Sequence, residues 1–176
     1  MKKVIILSGV SGSGKSTYAK KLWNELEPGQ YSTIVSADDY FMASDGECLE
    51  YKFDPSKLGI AHGVCFRNFL EAIDSEKGYS LVIVDNTNTT SEEIAPYVLG
   101  AQAFGWEPEI HTLRVQGALR KDNNGMVIAR SSALMDKLVK RNKHGVTAKT
   151  IQAQANRLTM RMLPPWWKHI DILTVI

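Results

Sequence analysis

The chain has 176 residues, 44% of them hydrophobic and 23% charged, which suits one soluble domain with its own core. No apolar stretch approaches the length of a membrane span, and Cys48 and Cys65 are too few and too unpatterned for a disulfide framework or a zinc site; a single domain over 1–176 in a reducing cytoplasm is therefore expected. The net charge of +2 divides unevenly, with 9 Lys/Arg against 16 Asp/Glu in residues 1–111 and 12 against 3 in residues 112–176, so the second half is the one suited to meeting a polyanion.

Lys3–Leu7 is a short apolar run of buried-strand type. Directly after it stand Gly9, Val10, Ser11, Gly12, Ser13, Gly14, Lys15, Ser16 and Thr17, which fit the phosphate-loop pattern G-x-x-x-x-G-K-[ST] at every fixed position. Tyr18–Leu26 then has helical spacing of Ala19, Leu22, Trp23 and Leu26. In a strand–loop–helix of this kind, successive backbone N–H groups curl around a phosphate chain and the helix start adds partial positive charge. Lys15 is placed to reach the β- and γ-phosphates of a bound nucleoside triphosphate, and the Ser16 hydroxyl to hold Mg²⁺.

Pro28-Gly29 stops the first helix, and Tyr31–Val35 reads as a second strand, with Asp38 and Asp39 just past its carboxyl end. Residues 43–54 are polar and turn-rich. Pro55 opens a helix through Lys57–Ile73, with Leu58, His62, Cys65, Phe66, Phe69 and Ile73 on one face. Leu81–Val84 is a third apolar strand leading into Asp85, Asn86, Thr87 and Asn88. A helix capped by Thr90 or Ser91 follows, with Ile94, Val98, Ala101 and Phe104 as its stripe. Glu109–Val115 is a fourth strand. Residues 117–130 read as two short arms around a turn, residues 134–146 as a basic lid, Thr147–Met162 as a helix, and Ile170–Val175 as a fifth strand. Strands alternating with helices predict a three-layer α/β fold of the P-loop NTPase kind, a mainly parallel five-stranded sheet with helices on both faces.

A hydroxyl that accepts a phosphoryl group needs its proton taken and its oxygen aimed at the γ-phosphate. One of Asp38 and Asp39, with Asp38 preferred, suits that task at the carboxyl end of the second strand; the other reading is a turn cap. Asp85 ends an apolar strand where an acidic residue meets Mg²⁺ or its waters. Asn86, Thr87 and Asn88 suit either substrate contacts or a satisfied turn. Lys137, Lys140, Arg141, Lys143 and His144 gather charge in the lid, where Arg141 either folds over ATP or marks a solvated helix end. His62 reads as a core histidine rather than a metal ligand.

These residues resemble a known family, the phage-type polynucleotide 5′-hydroxyl kinases and related kinase-like ATP-binding domains of the AAA_33 group. The likeness covers the loop at 9–17, Ser-Ala-Asp-Asp-Tyr-Phe at 36–41, Val-Asp-Asn-Thr-Asn-Thr at 84–89, Lys-Arg-Asn-Lys-His-Gly-Val at 140–146, and Tyr51-Lys52-Phe53-Asp54. It implies ATP- and Mg²⁺-dependent phosphorylation of a hydroxyl, most characteristically the 5′-OH end of a nucleic acid. It also implies Asp38 as general base, Arg141 as the lid arginine on the ATP phosphates, and Thr87 and Asn88 as the turn beside the phosphate loop. Ala37 and Phe41 stand where polynucleotide kinases carry arginines that hold the acceptor's phosphate.

The sequence thus leads to a Mg²⁺- and ATP-dependent kinase acting on a nucleic-acid 5′-OH. Asp38, Lys15 and Arg141 are its catalytic candidates, residues 9–17 and Arg141 hold ATP, Asp39, Thr87 and Asn88 meet the acceptor, and Ser16 and Asp85 hold the metal. A kinase of a nucleoside, a modified base or another metabolite, and an ATP-binding module that transfers nothing, remain the alternatives. Oligomeric state is left open.

Overall fold

The computed structural model describes residues 2–44, 49–74, 76–115, 119–121, 127–129, 132–142 and 144–175. In chain order its elements are β1 (Lys3–Ser8), α1 (Lys15–Asn24), β2 (Tyr31–Val35), a 3-10 turn over Ala37–Phe41, β3 (Met42–Ser44), β4 (Leu49–Tyr51), a 3-10 turn over Pro55–Lys57, α2 (Leu58–Asp74), β5 (Tyr79–Val84), α3 (Ser91–Ala103), β6 (Glu107–Val115), β7 (Leu119–Lys121), β8 (Val127–Ala129), α4 (Ser132–Arg141), α5 (Ala148–Met160) and β9 (His169–Thr174).

β1 sits at the centre of a five-stranded sheet in the order β2-β5-β1-β6-β9, and every ladder in it is parallel. Both faces are covered, which is why β1 and β5 read as unbroken apolar runs. Successive side chains point to opposite faces. Val4, Ile6, Val82 and Val84 therefore join Ala61, Cys65 and Phe69 of α2 and Ile94, Tyr97, Val98 and Ala101 of α3 on one side. Ile5, Leu7, Leu81 and Ile83 join Ala19 of α1 on the other, with Leu22 and Leu26 packed against them. α4 and α5 add a third apolar group, in which Leu138, Ile151 and Ala155 close on Val10 of the glycine loop.

The chain leaves β1 for β2 on one side and later crosses from β5 to β6 on the other. The carboxyl end of β1 is thus a switch point of the sheet, where open α/β folds bind ligands. The three-layer parallel architecture expected from the alternation of elements is the one observed.

Some expectations need correction. Cys65, Phe69 and Ile73 of α2 are buried as read, but His62 and Leu58 are exposed, because the buried stripe is completed by Ala61 and Ala72. Phe104 lies past the end of α3 and is exposed, its place in the stripe taken by Tyr97. Residues 43–54 are not turns alone: β3 and β4 pair antiparallel there. α1 begins at Lys15 rather than Tyr18, with Gly14 as its left-handed N-cap. β7 and β8 pair antiparallel as the two arms of 117–130, while the turn between them lies outside the described residues, as does Lys143 of the lid.

Candidate active site

The loop leaving β1 is fixed from three directions. The Gly9 N–H donates to the Thr87 carbonyl at 2.9 Å, and the Asn88 carboxamide donates to the Leu7 carbonyl at 2.8 Å. The Ser8 hydroxyl donates to the Asn88 carbonyl at 2.8 Å. Asn88 is buried and holds φ +41, a left-handed conformation that asparagine tolerates. Its side chain is spent on the β1–β5 junction. Thr87 and Asn88 therefore stand beside the phosphate loop, with Thr87 half-buried. From the far side, Gln154 of α5 accepts the Ser11 N–H through Oε1 at 2.8 Å, a contact across 143 residues that no local pattern announces.

Lys15 is buried, and its ammonium donates to the carbonyls of Gly9 and Val10 at 3.0 Å each. Burial lowers its pKa to about 8 against the opposing pull of Asp85 and Asp38, which places all three groups in one electrostatic neighbourhood. Asp85 hydrogen-bonds Ser16 and faces Lys15, yet burial raises its pKa overall. The Ser13 hydroxyl is buried with no partner among the described residues. An orphaned polar group of that kind in a glycine loop fits an anion that supplies the missing partner. The hydrogen-bonded Ser16 hydroxyl and Asp85 carboxylate bring two hard oxygen donors together beside the loop, a pair whose chemistry would fit a Mg²⁺ ion. Among the described residues there is no cluster of three or more His, Cys, Asp or Glu that would suit an all-protein metal cage.

The two adjacent aspartates separate cleanly. Ser36 caps the Ala37–Phe41 turn, and Asp39 returns the bond by accepting the Ser36 N–H at 3.2 Å, so Asp39 completes a capping box. Asp38 points elsewhere. Its Oδ1 accepts the Tyr51 hydroxyl at 3.0 Å, and its Oδ2 lies 3.2 Å from His144 Nε2. Asn86 fixes this turn to the end of β5, accepting the Ala37 N–H at 2.9 Å while its amide faces Cys65 and Tyr97 at 3.3 Å each. Ala37 and Phe41 are buried in the core beneath it.

Arg141 reaches the other side of the loop: a Cβ placed on Gly14 would lie 3.8 Å from its guanidinium nitrogen. The Leu138 carbonyl packs on Gly12. Arg161, just past α5, bonds Thr112 at 2.8 Å and the Asn88 carbonyl at 3.1 Å, and burial lowers its pKa to about 10. The structure thus gathers Lys15, Ser16, Asp38, Asp85 and Arg141 around one loop. It adds Tyr51, Gln154 and Arg161, which sequence reasoning did not single out for this site, and brings His144 of the basic lid cluster onto Asp38. For Gln154 a signal existed, a polar residue between Ile151 and Ala155 on the apolar face of its helix. A cavity of about 350 Å³ between Trp106, Trp166 and Trp167 lies instead at the amino end of β6, away from the phosphate loop. No helix among the described residues is long and apolar enough to cross a membrane.

The sequence profile of a family described as AAA domain, AAA_33, matches residues 4–165. Human NEDD4-binding protein 2 is 38% identical over 99 residues, which are 56% of this chain; the chain spans about 5% of that protein's length. Among solved structures, Kti12 of Chaetomium thermophilum in complex with ADP-AlF3 has a TM-score of 0.59 at 12% identity, covering 98% of this chain and 88% of that one. A gluconokinase from Sinorhizobium meliloti 1021 has a TM-score of 0.53 at 16% identity, covering 96% and 82%. Likenesses at such identities show the fold, which is kinase-like.

Proposed function

The chain belongs to the AAA_33 family, and from that premise we propose that it is an ATP-dependent kinase whose acceptor is the 5′-hydroxyl end of a polynucleotide. The observation that carries the reading is the relation of Asp38 to Lys15. A half-exposed carboxylate at the carboxyl end of β2 shares the electrostatic field of the loop lysine at the carboxyl end of β1. That is the separation of roles phosphoryl transfer asks for, one group on the phosphate and one on the attacking oxygen.

In this reading the backbone N–H groups of residues 9–17 and the start of α1 hold the phosphates, and Lys15 turns from the Gly9 and Val10 carbonyls onto the γ-phosphoryl group. Ser16 and Asp85 hold Mg²⁺, which supplies charge neutralisation on the phosphate oxygens when bound. Asp38 takes the hydroxyl proton as the acceptor oxygen bonds to phosphorus. The bond from phosphorus to the bridging oxygen breaks, and ADP leaves. Arg141, over Gly14, offsets charge on the phosphates from the lid side.

The polynucleotide acceptor draws support from the motif likeness at 36–41, 84–89 and 140–146 and from the basic second half, with Lys137, Lys140 and Arg141 exposed on α4. One observation favours a smaller alcohol. Positions 37 and 41 carry buried apolar residues, so no cation flanks Asp38 from its own turn. Transfer of labelled γ-phosphate, tested over 5′-OH DNA, 5′-OH RNA, nucleosides and hexoses, decides between them. Label on a nucleic-acid end supports the proposal, label on the small alcohols alone replaces its acceptor, and no transfer to any of them overturns it.

A further inference from the structure

The lid meets the site twice within four residues. Arg141 lies over Gly14 on the nucleotide side, whereas His144 places Nε2 3.2 Å from Asp38 Oδ2 on the acceptor side. Between them, the Asn142 side chain accepts the His144 N–H at 2.8 Å, and the Asn142 N–H donates to the Val139 carbonyl at 3.2 Å. The backbone carrying the imidazole is thereby tied to the end of α4.

Resting on the kinase reading above, we propose that His144 is a positioning residue for the transfer step: it holds Asp38 in the orientation that receives the acceptor's proton, and does so from the same lid that carries Arg141. A carboxylate only accepts hydrogen bonds, so the contact requires a proton on Nε2. The Nδ1 atom is then left buried, with no partner among the described residues. Burying a ring nitrogen unpaired is unfavourable, because its hydration is lost without a replacement partner. A half-exposed loop histidine with no tie to the carboxylate would shed that cost by turning to solvent. Here the ring is held inward, against Tyr51 at a centroid separation of 4.3 Å.

Tyr51, in ring contact with His144, completes the arrangement by donating to the other oxygen, Oδ1. The two donors fix the plane of the carboxylate through both oxygens. Each oxygen keeps a second acceptor direction for an incoming hydroxyl. An Asp38 without the His144 contact swings about its side-chain torsions, and a misplacement on the scale of 1 Å at the reacting atom costs about 100-fold in rate.

The alternative is that His144 merely packs on Tyr51. Two substitutions separate these roles: His144→Phe keeps a ring against Tyr51 and removes the donor, and His144→Gln restores a donor without the ring. Each is compared with the wild-type chain in single-turnover transfer of labelled γ-phosphate to a 5′-OH oligonucleotide, in ATP-analogue affinity and in melting temperature. H144F is expected to transfer about 10- to 100-fold more slowly at saturating substrates, with analogue affinity within about two-fold of wild type, and H144Q to recover most of that loss. Added to Asp38→Asn, H144F is expected to slow transfer no further, because the two act as one unit. Transfer by H144F at the wild-type rate, or H144Q as slow as H144F, overturns the inference while leaving the kinase reading intact. A wild-type chain that phosphorylates no hydroxyl takes both down.

Discussion

The carbonyl oxygen of Leu138 sits so close over Gly12 that a Cβ placed there would come within 2.3 Å of it. Gly12 also has φ +79, a conformation L side chains rarely adopt. The lid helix α4 therefore rests on the phosphate loop itself, backbone to backbone.

Gly12→Ala must displace one of the two. Expected is a loss of about 1–3 kcal/mol in stability from the strained backbone and the displaced helix, together with weaker binding of an ATP analogue. Melting curves and titrations on the variant test this; an unchanged melting temperature would show that α4 rides free of the loop.

Asp38→Asn keeps the shape of the side chain and one acceptor oxygen but removes its capacity to take a proton. Transfer should fall by about 10²- to 10⁴-fold, with analogue affinity nearly unchanged. Asp39→Asn should leave transfer largely intact, because Asp39 spends its carboxylate on the Ser36 N–H. Equal losses in the two variants would remove the distinction drawn between them.

Arg141→Ala removes an exposed guanidinium from beside Gly14, so stability should hardly change. Removing a positioned donor to developing charge costs about 10²- to 10³-fold in rate. The expected signature is a fall in turnover larger than any fall in ATP affinity, measured by initial rates over a range of ATP concentrations. Full activity would assign this arginine to the solvated end of α4.

A fourth expectation concerns acid. Glu109 is buried and burial alone would raise its pKa, but Lys168, Lys3 at 2.9 Å and His111 at 3.2 Å hold it down to about 2, from an ordinary 4.5. A carboxylate depressed by folding stabilises above its unfolded pKa and loses that contribution as pH falls through the folded one. Glu109→Gln should therefore cost on the order of 2 kcal/mol near neutrality, and the gap to wild type should close between about pH 4.5 and pH 2. Chemical denaturation across that range reads it directly, and a gap that stays constant with pH would contradict the linkage.

Much of the framework was legible because local chemistry dictated it. Two-sided burial writes β1 and β5 as apolar runs, and the glycine loop requires fixed residue types at fixed spacing. Thr90 as cap with Glu93 returning the bond follows the same local logic. Other features depend on the fold. Neither adjacent aspartate is distinguished by its neighbours in sequence; the capping box that takes Asp39 leaves Asp38 to the site. Gln154 and Arg161 matter through partners 143 and 49 residues away; the polar break in the apolar face of α5 marks Gln154 but not its partner, and nothing local marks Arg161. The strands β3 and β4 have three residues each, too short for an alternating pattern to register.

That small ribbon has its own consequence. Among the described residues β3 and β4 pair only with each other, and the ribbon's tie to the Ala37–Phe41 turn includes the Lys52 N–H on the Phe41 carbonyl at 2.8 Å. None of the five central strands borrows a rung from it. Drift in residues 42–44 and 49–53 can thus recast the wall beside Asp38 without disturbing the cradle at residues 9–17. Under the kinase reading proposed above, exchanging the ribbon as a cassette between family members is expected to change which acceptor is used while leaving nucleotide binding as it was.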